Sequence, residues 1–138
     1  MDDERLILEI FTPDQEIISK EVDYCTAPGF EGEIGVLPGH APFFTKIKTG
    51  VIKFSENNKN YHFVISKGLS EVTEKKVTIL TDKAISLDKI DLEKVEKEKQ
   101  EAEDRLKGLN PDDKEYVKIK EDMDWALACM EALKEGGK

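Results

Sequence analysis

An antiparallel β-sandwich, or flattened barrel, followed by an α-helical hairpin is the architecture this sequence predicts, and three features predict it. Up to about Ile85, short apolar runs of strand length alternate with turn residues, with no helical period between them. Beyond Ile85, charged residues make up roughly half of the chain and apolar residues recur at intervals of three and four. The turn signal Asn110-Pro111-Asp112-Asp113 interrupts that second pattern once. The 138 residues thus divide into a β domain, 1–85, and a helical pair, 86–138.

The expected strands are Leu6 to Phe11, Ile17 to Ala27, Phe43 to Ile47, Val51 to Phe54, Tyr61 to Ile65, Leu69 to Val72 and Val77 to Leu80. Thr12-Pro13-Asp14, Lys48-Thr49-Gly50, Glu56-Asn57-Asn58-Lys59-Asn60 and Ser66-Lys67-Gly68 separate them, supplying fixed or positive φ, or side chains that bond their own backbone. Between Pro28 and Pro42, glycines and prolines predict a compact loop.

Helices are expected over about 91–107 and 111–134. Asp91 is the N-cap of the first, and Leu92, Val95, Ala102 and Leu106 form its apolar edge, interrupted by Lys99. Glu93 with Lys97, and Glu101 with Arg105, have the acid-before-base spacing that supports a solvated face. Gly108 ends this helix; Asn110 as N-cap and Pro111 as first helical residue start the next. Tyr116, Ile119, Met123, Ala126, Met130 and Leu133 give the second helix an unbroken stripe facing the first. Trp125, Leu127, Ala128 and Cys129 add apolar surface outside the stripe, which must be covered by the sandwich or by another protein.

The net charge of −9 argues against binding nucleic acid or an anionic bilayer, since both require phosphate neutralisation by cations. There is no run of about 20 apolar residues, and the acidic opening Met1-Asp2-Asp3-Glu4 is unlike a signal peptide, so a soluble, cytoplasmic chain is expected. Cys25 and Cys129 stand far apart with no CxxC or histidine partner, which predicts inert thiols and no metal site.

Catalytic motifs are missing: no phosphate-binding GxxxxGK[ST], no GxGxxG, no GxSxG, no HExxH. His62 reads as a face residue of a strand. Glu31, Glu33 and His40 fall together in the loop between Pro28 and Pro42, where an enzyme could use them as acid and base. No nucleophile or metal cluster accompanies them, so contact or loop shaping is the expected role and no catalytic residue is assigned. A sandwich with a coiled-coil hairpin serving an unrelated complex is the alternative from another class.

The segment Glu31-Gly32-Glu33-Ile34-Gly35-Val36-Leu37-Pro38-Gly39-His40-Ala41-Pro42 resembles the signature of the epsilon-subunit family of F-type ATP synthases. Thr12-Pro13, Gly50-Val51-Ile52, Lys67-Gly68 before Leu69-Ser70-Glu71-Val72, Val77-Thr78-Ile79-Leu80 and Ala102-Glu103-Asp104-Arg105-Leu106 follow in the family's order. The resemblance implies a β-sandwich plus helical hairpin and a non-catalytic part in the rotor of a proton-translocating synthase, peripheral on the cytoplasmic face of a bacterial membrane. It implies partners too: the gamma subunit and the c-ring for the sandwich, with Glu31, Glu33 and His40 as contact residues, and the catalytic beta subunit for an extended, hydrolysis-inhibiting hairpin. Family members that bind ATP carry Ile-Asp, two residues, then Arg-Ala at the first helix. Here Ile90-Asp91-Leu92-Glu93-Lys94-Val95 has Lys94 for the arginine and Val95 for the alanine, and the apolar Ile85 stands where those members have an acid. Lysine lacks the planar fork of arginine, so Asp91 and Lys94 make at most a weak regulatory ATP site, and no cofactor is expected.

Overall fold

The computed structural model describes residues 5–136; Met1-Asp2-Asp3-Glu4 and the last two residues of the second segment lie outside it. Ten strands form one continuous sheet: β1 (Leu6–Phe11), β2 (Glu16–Val22), β3 (Tyr24–Gly29), β4 (Gly32–Val36), β5 (Phe43–Ile47), β6 (Gly50–Glu56), β7 (Lys59–Ile65), β8 (Gly68–Val72), β9 (Lys76–Thr81) and β10 (Ala84–Ser86). A 3-10 turn, Leu87–Lys89, leads to α1 (Leu92–Lys107) and then α2 (Lys114–Gly136).

The strand order is β10-β7-β6-β3-β5-β8-β9-β1-β2, with β4 attached to the side of β3. Every pairing is antiparallel except β1 with β9. No hairpin constrains those two, since they are far apart in sequence. The sheet curls over itself, and alternate residues from both halves meet inside: Leu6, Leu8, Ile10, Ile47, Val72, Val77 and Ile79 from one, Cys25, Ala27, Ile52, Phe54 and Ile65 from the other. Closing the sheet this way removes apolar side chains of every long strand from water and leaves few open edges.

Strands β6 and β7 are buried on both faces. Ile52 and Ile65 point into the closed core, while Val51 and Val64 point outward and are covered by the hairpin. The two strands join at Asn57 (φ 53°) and Asn58 (φ 66°), the left-handed pair that a tight hairpin turn of the right twist requires.

Four sequence expectations change. The run from Ile17 to Ala27 is two strands, because the chain turns a corner at Asp23, whose N–H donates to the Ser55 carbonyl at 2.7 Å. β2 then belongs to β1 and β3 to β6, the way strands pass between layers. The expected loop from Pro28 to Pro42 is, over its first part, the β3–β4 hairpin, with Phe30 and Glu31 between Gly29 and Gly32. A side chain at Gly29 would meet Ile34 Cδ1 at 2.5 Å, so its glycine serves close approach within the ladder. The short strand β10 was not expected; Ile85 pairs with Val64 and so extends the sheet beyond β7. Finally, α2 starts at Lys114 and not at Pro111. Asp113 N–H donates to the Asn110 carbonyl at 2.9 Å, and its carboxylate accepts from the Asn110 N–H at 2.8 Å, closing a turn with Pro111 second, where its fixed φ is equally at home.

Candidate functional site

The tip of the β3–β4 hairpin carries two of the three residues singled out above. Glu31 and Glu33 are exposed and line a shallow cleft of about 480 Å³ with Phe30, Ile34, Thr45 and Lys46. The cleft exists because β3 pairs in register with β5 only at Gly29 and Ile47, so β4 and β5 splay apart. Glu33 Oε2 lies 4.0 Å from Lys53 Nζ.

His40 does not join them. It is half-buried after β4, tilted against the Phe43 ring at 5.1 Å, and its Nδ1 donates to the Ala41 carbonyl at 2.9 Å. The neighbouring Gly39 N–H donates to the Glu74 carbonyl at 2.8 Å, tying this segment to the β8–β9 turn. The three residues thus form no acid–base constellation; two sit in an exposed acidic tip and the third shapes a turn. Among the described residues no group of three or more His, Cys, Asp or Glu is arranged to hold a metal ion.

On the hairpin, Asp91 accepts the Lys94 N–H at 3.3 Å and so caps α1, while the Lys94 side chain is exposed. Gly108 closes the helix by donating to the Arg105 and Leu106 carbonyls. Ile85 packs in an apolar cluster beside Leu87 and Ile90. Along the α1–α2 contact Val95, Ala102, Ile119 and Ala126 are buried, and Leu106, Tyr116, Met123, Met130 and Leu133 are half-buried. Leu92, at the first turn, is 47% exposed and lies off the packed surface.

The apolar excess around Trp125 has two destinations. Trp125, Ala128, Cys129, Met130 and Ala132 join Val51, Val64 and Ile85 in a second cluster, so α2 is seated on the outer face of β6 and β7. Three lysines of the sheet half reach the same helix. Lys53 Nζ lies 2.9 Å from Glu135 Oε1, Lys67 pairs with Glu121, and Lys83 sits 4.8 Å above the Trp125 ring. The hydrogen bond between Lys53 and Glu135 holds the Glu135 carboxyl below the usual carboxylate value and raises the Lys53 ammonium above its own. Cys25 and Cys129 are buried free thiols, pushed by desolvation to about 12 and about 11, and are unreactive at neutral pH.

The second destination is a groove of about 1070 Å³ between α2 and the outer face of β8, β9 and β1. Leu69 opposes Leu80, and Leu80 opposes Phe11, giving a cross-strand apolar row on the solvent side of the barrel. Phe30 (69% exposed), Leu80 (51%), Leu69 (48%) and, from α2, Leu127 (41%) line it. The row escapes a reading that only finds strands, but it has a sequence signal. Ile79 and Leu80 are adjacent and cannot share a face, so one of them is displayed.

Comparison with known proteins agrees with this architecture. Residues 5–87 match the family model described as the ATP synthase, Delta/Epsilon chain, beta-sandwich domain. The ATP synthase epsilon chain of Geobacter metallireducens is 41% identical, over 93% of each chain, and that of Geotalea daltonii is 38% identical, over 98% of each. Among solved structures, a chain of the Euglena gracilis mitochondrial ATP synthase, solved with OSCP, F1 and c-ring, superposes with a TM-score of 0.80 at 29% identity, covering 94% of this chain and 82% of that one. A chain of the Tetrahymena thermophila mitochondrial ATP synthase central stalk and c-ring shares the fold, with a TM-score of 0.57 at 12% identity over 96% of this chain and 98% of that one. With a family model covering the whole sandwich and relatives this similar along nearly the full length, the chain belongs to the ATP synthase delta/epsilon family.

Proposed function

We propose that this chain is a non-catalytic rotor subunit of an F-type ATP synthase, joining the stalk gamma subunit to the membrane c-ring at the membrane's cytoplasmic face. One observation carries the reading: the groove whose apolar row, Phe30, Leu69, Leu80 and Leu127, stays exposed although the core and the hairpin contact are already filled. An apolar surface of this kind beside a closed barrel is a protein contact, and the gamma subunit is its occupant. The acidic tip with Glu31 and Glu33 then meets a second, cationic surface, for which the c-ring is the partner. With the hairpin seated on the sheet, the groove is framed by both halves of the chain, so the bound partner also senses where α2 lies.

The experiment is binding of the full chain to the gamma subunit, measured for Leu80→Asp. A charge at the centre of the apolar row is expected to weaken binding at least about tenfold, because desolvating it costs more than a well-packed leucine returns. The urea midpoint should change little, since Leu80 is outside the core. Binding unaffected by Leu80→Asp would refute the placement.

A further inference from the structure

Lys53 stands where two parts of the molecule meet. It lies on β6, beside β3, whose hairpin with β4 carries Glu33, and it reaches the last turn of α2, which carries Glu135. The ammonium is 2.9 Å from Glu135 Oε1 and 4.0 Å from Glu33 Oε2. Glu131, one helical turn before Glu135, also acts on Lys53, and His62, on β7, acts on Glu135. One lysine therefore serves three carboxylates from two separate elements. The other two lysines that touch α2 differ: Lys67 meets Glu121 and Lys83 meets Trp125, with no paired carboxylate on the hairpin tip.

We propose that Lys53 couples the β3–β4 tip to the docking of α2, such that neutralising Glu33 with a partner's cation tightens the seat of the helix on the sheet. The ground is Coulombic. Glu33 draws on the ammonium that also holds Glu135, and a cation at Glu33 removes that competition. Linkage makes the coupling reciprocal, so a docked α2 raises the affinity of the tip for that cation by the same factor. A surface touching the tip thus reports to the hairpin without touching it. That the cation comes from a neighbouring rotor subunit rests on the function proposed above; the coupling is a property of this chain alone.

Amide hydrogen exchange on the full chain at low ionic strength tests it, read at the α2 amides over the sheet. Glu33→Gln mimics the bound cation and should slow their exchange about two- to fivefold, the range open to a partly exposed ion pair. Lys53→Met should abolish the slowing, whereas Lys67→Met should preserve it, and raised salt should erase it. Exchange unchanged by Glu33→Gln, or a slowing that persists without the Lys53 ammonium, overturns the coupling. Binding to the gamma subunit is measured separately through Leu80, so failure of either test leaves the other standing.

Discussion

Deleting the hairpin should leave a folded but weakened sandwich, and the size of the weakening can be worked from the two apolar clusters. The cluster enclosed by the sheet contains no residue of α1 or α2. The hairpin covers only the outward valines Val51 and Val64 and the half-buried Ile85, Leu87 and Ile90 on that side. Re-exposing two buried valines removes about 3–6 kcal/mol, at about 1.5–3 kcal/mol each. Domains of this size have about 5–15 kcal/mol in hand, so a chain ending at Leu87 should remain native at 25 °C with a markedly lower urea midpoint. Circular dichroism reports the backbone and tyrosine fluorescence the side-chain packing around Tyr24 and Tyr61, the latter stacked on Phe54 at 5.3 Å. Coincident, sigmoidal transitions by both probes are expected. A truncated chain that binds a hydrophobic dye, or whose two transitions separate, would show that the strands do not close a core by themselves.

Gly68→Ala should cost about 1–3 kcal/mol or more, because the added carbon would lie 1.9 Å from the Leu80 carbonyl oxygen and force β8 from β9. Gly35→Ala, with nothing within 4 Å, should change the unfolding free energy from urea denaturation by no more than about 0.5 kcal/mol. Calorimetry should find no micromolar binding of ATP, since Asp91 is committed to capping α1 and Lys94 offers a point charge where a bidentate fork is needed; a micromolar constant would refute this. Docking of α2 should weaken in acid. The Glu135 carboxyl is held below its unfolded value by Lys53, so its contribution is full above that value and is lost as pH falls through the lowered one. Exchange of the α2 amides between neutral pH and pH about 3, corrected for intrinsic rates, is the readout, and Glu135→Gln should flatten the dependence.

The sequence shows the strands most clearly where one face is wet. β1 and β9 alternate in burial along the strand, and both stand where apolar runs of strand length between turn residues put them. It shows them less well where the chain changes layers. No glycine or proline stands between Ile17 and Ala27 to mark a break, since the corner at Asp23 is held by a hydrogen bond to Ser55, a residue distant in sequence. β4 was hidden because Gly32 and Gly35 read as loop residues, whereas the ladder to β3 is made by backbone groups that composition does not display. At the site, Glu31 and Glu33 were legible as exposed acids from the glycines around them. Lys53 was not, because its partners come from β4 and from the last turn of α2, proximities that sheet pairing creates in the first case and the docked hairpin in the second.

The chemistry of that docking surface explains why it depends on ions at all. The buried side chains that α2 presents to the sheet are Ala126, Ala128, Cys129 and Ala132, which bring the helix close but bury little area each. The closed core, by contrast, is filled by Leu6, Leu8, Ile10, Ile52, Phe54 and Ile79. At a common coefficient of about 25 cal/mol per Å², apolar adhesion between hairpin and sheet is therefore far weaker than cohesion inside the sheet. Beside an apolar contact this much smaller than the core, ion pairs of up to about 1 kcal/mol each become a meaningful fraction of the whole. α2 is rich in acids, including Glu121, Glu131 and Glu135, and the sheet half answers it with Lys53, Lys67 and Lys83. The consequence is a hairpin whose attachment can be adjusted by charge without loosening the barrel that carries it.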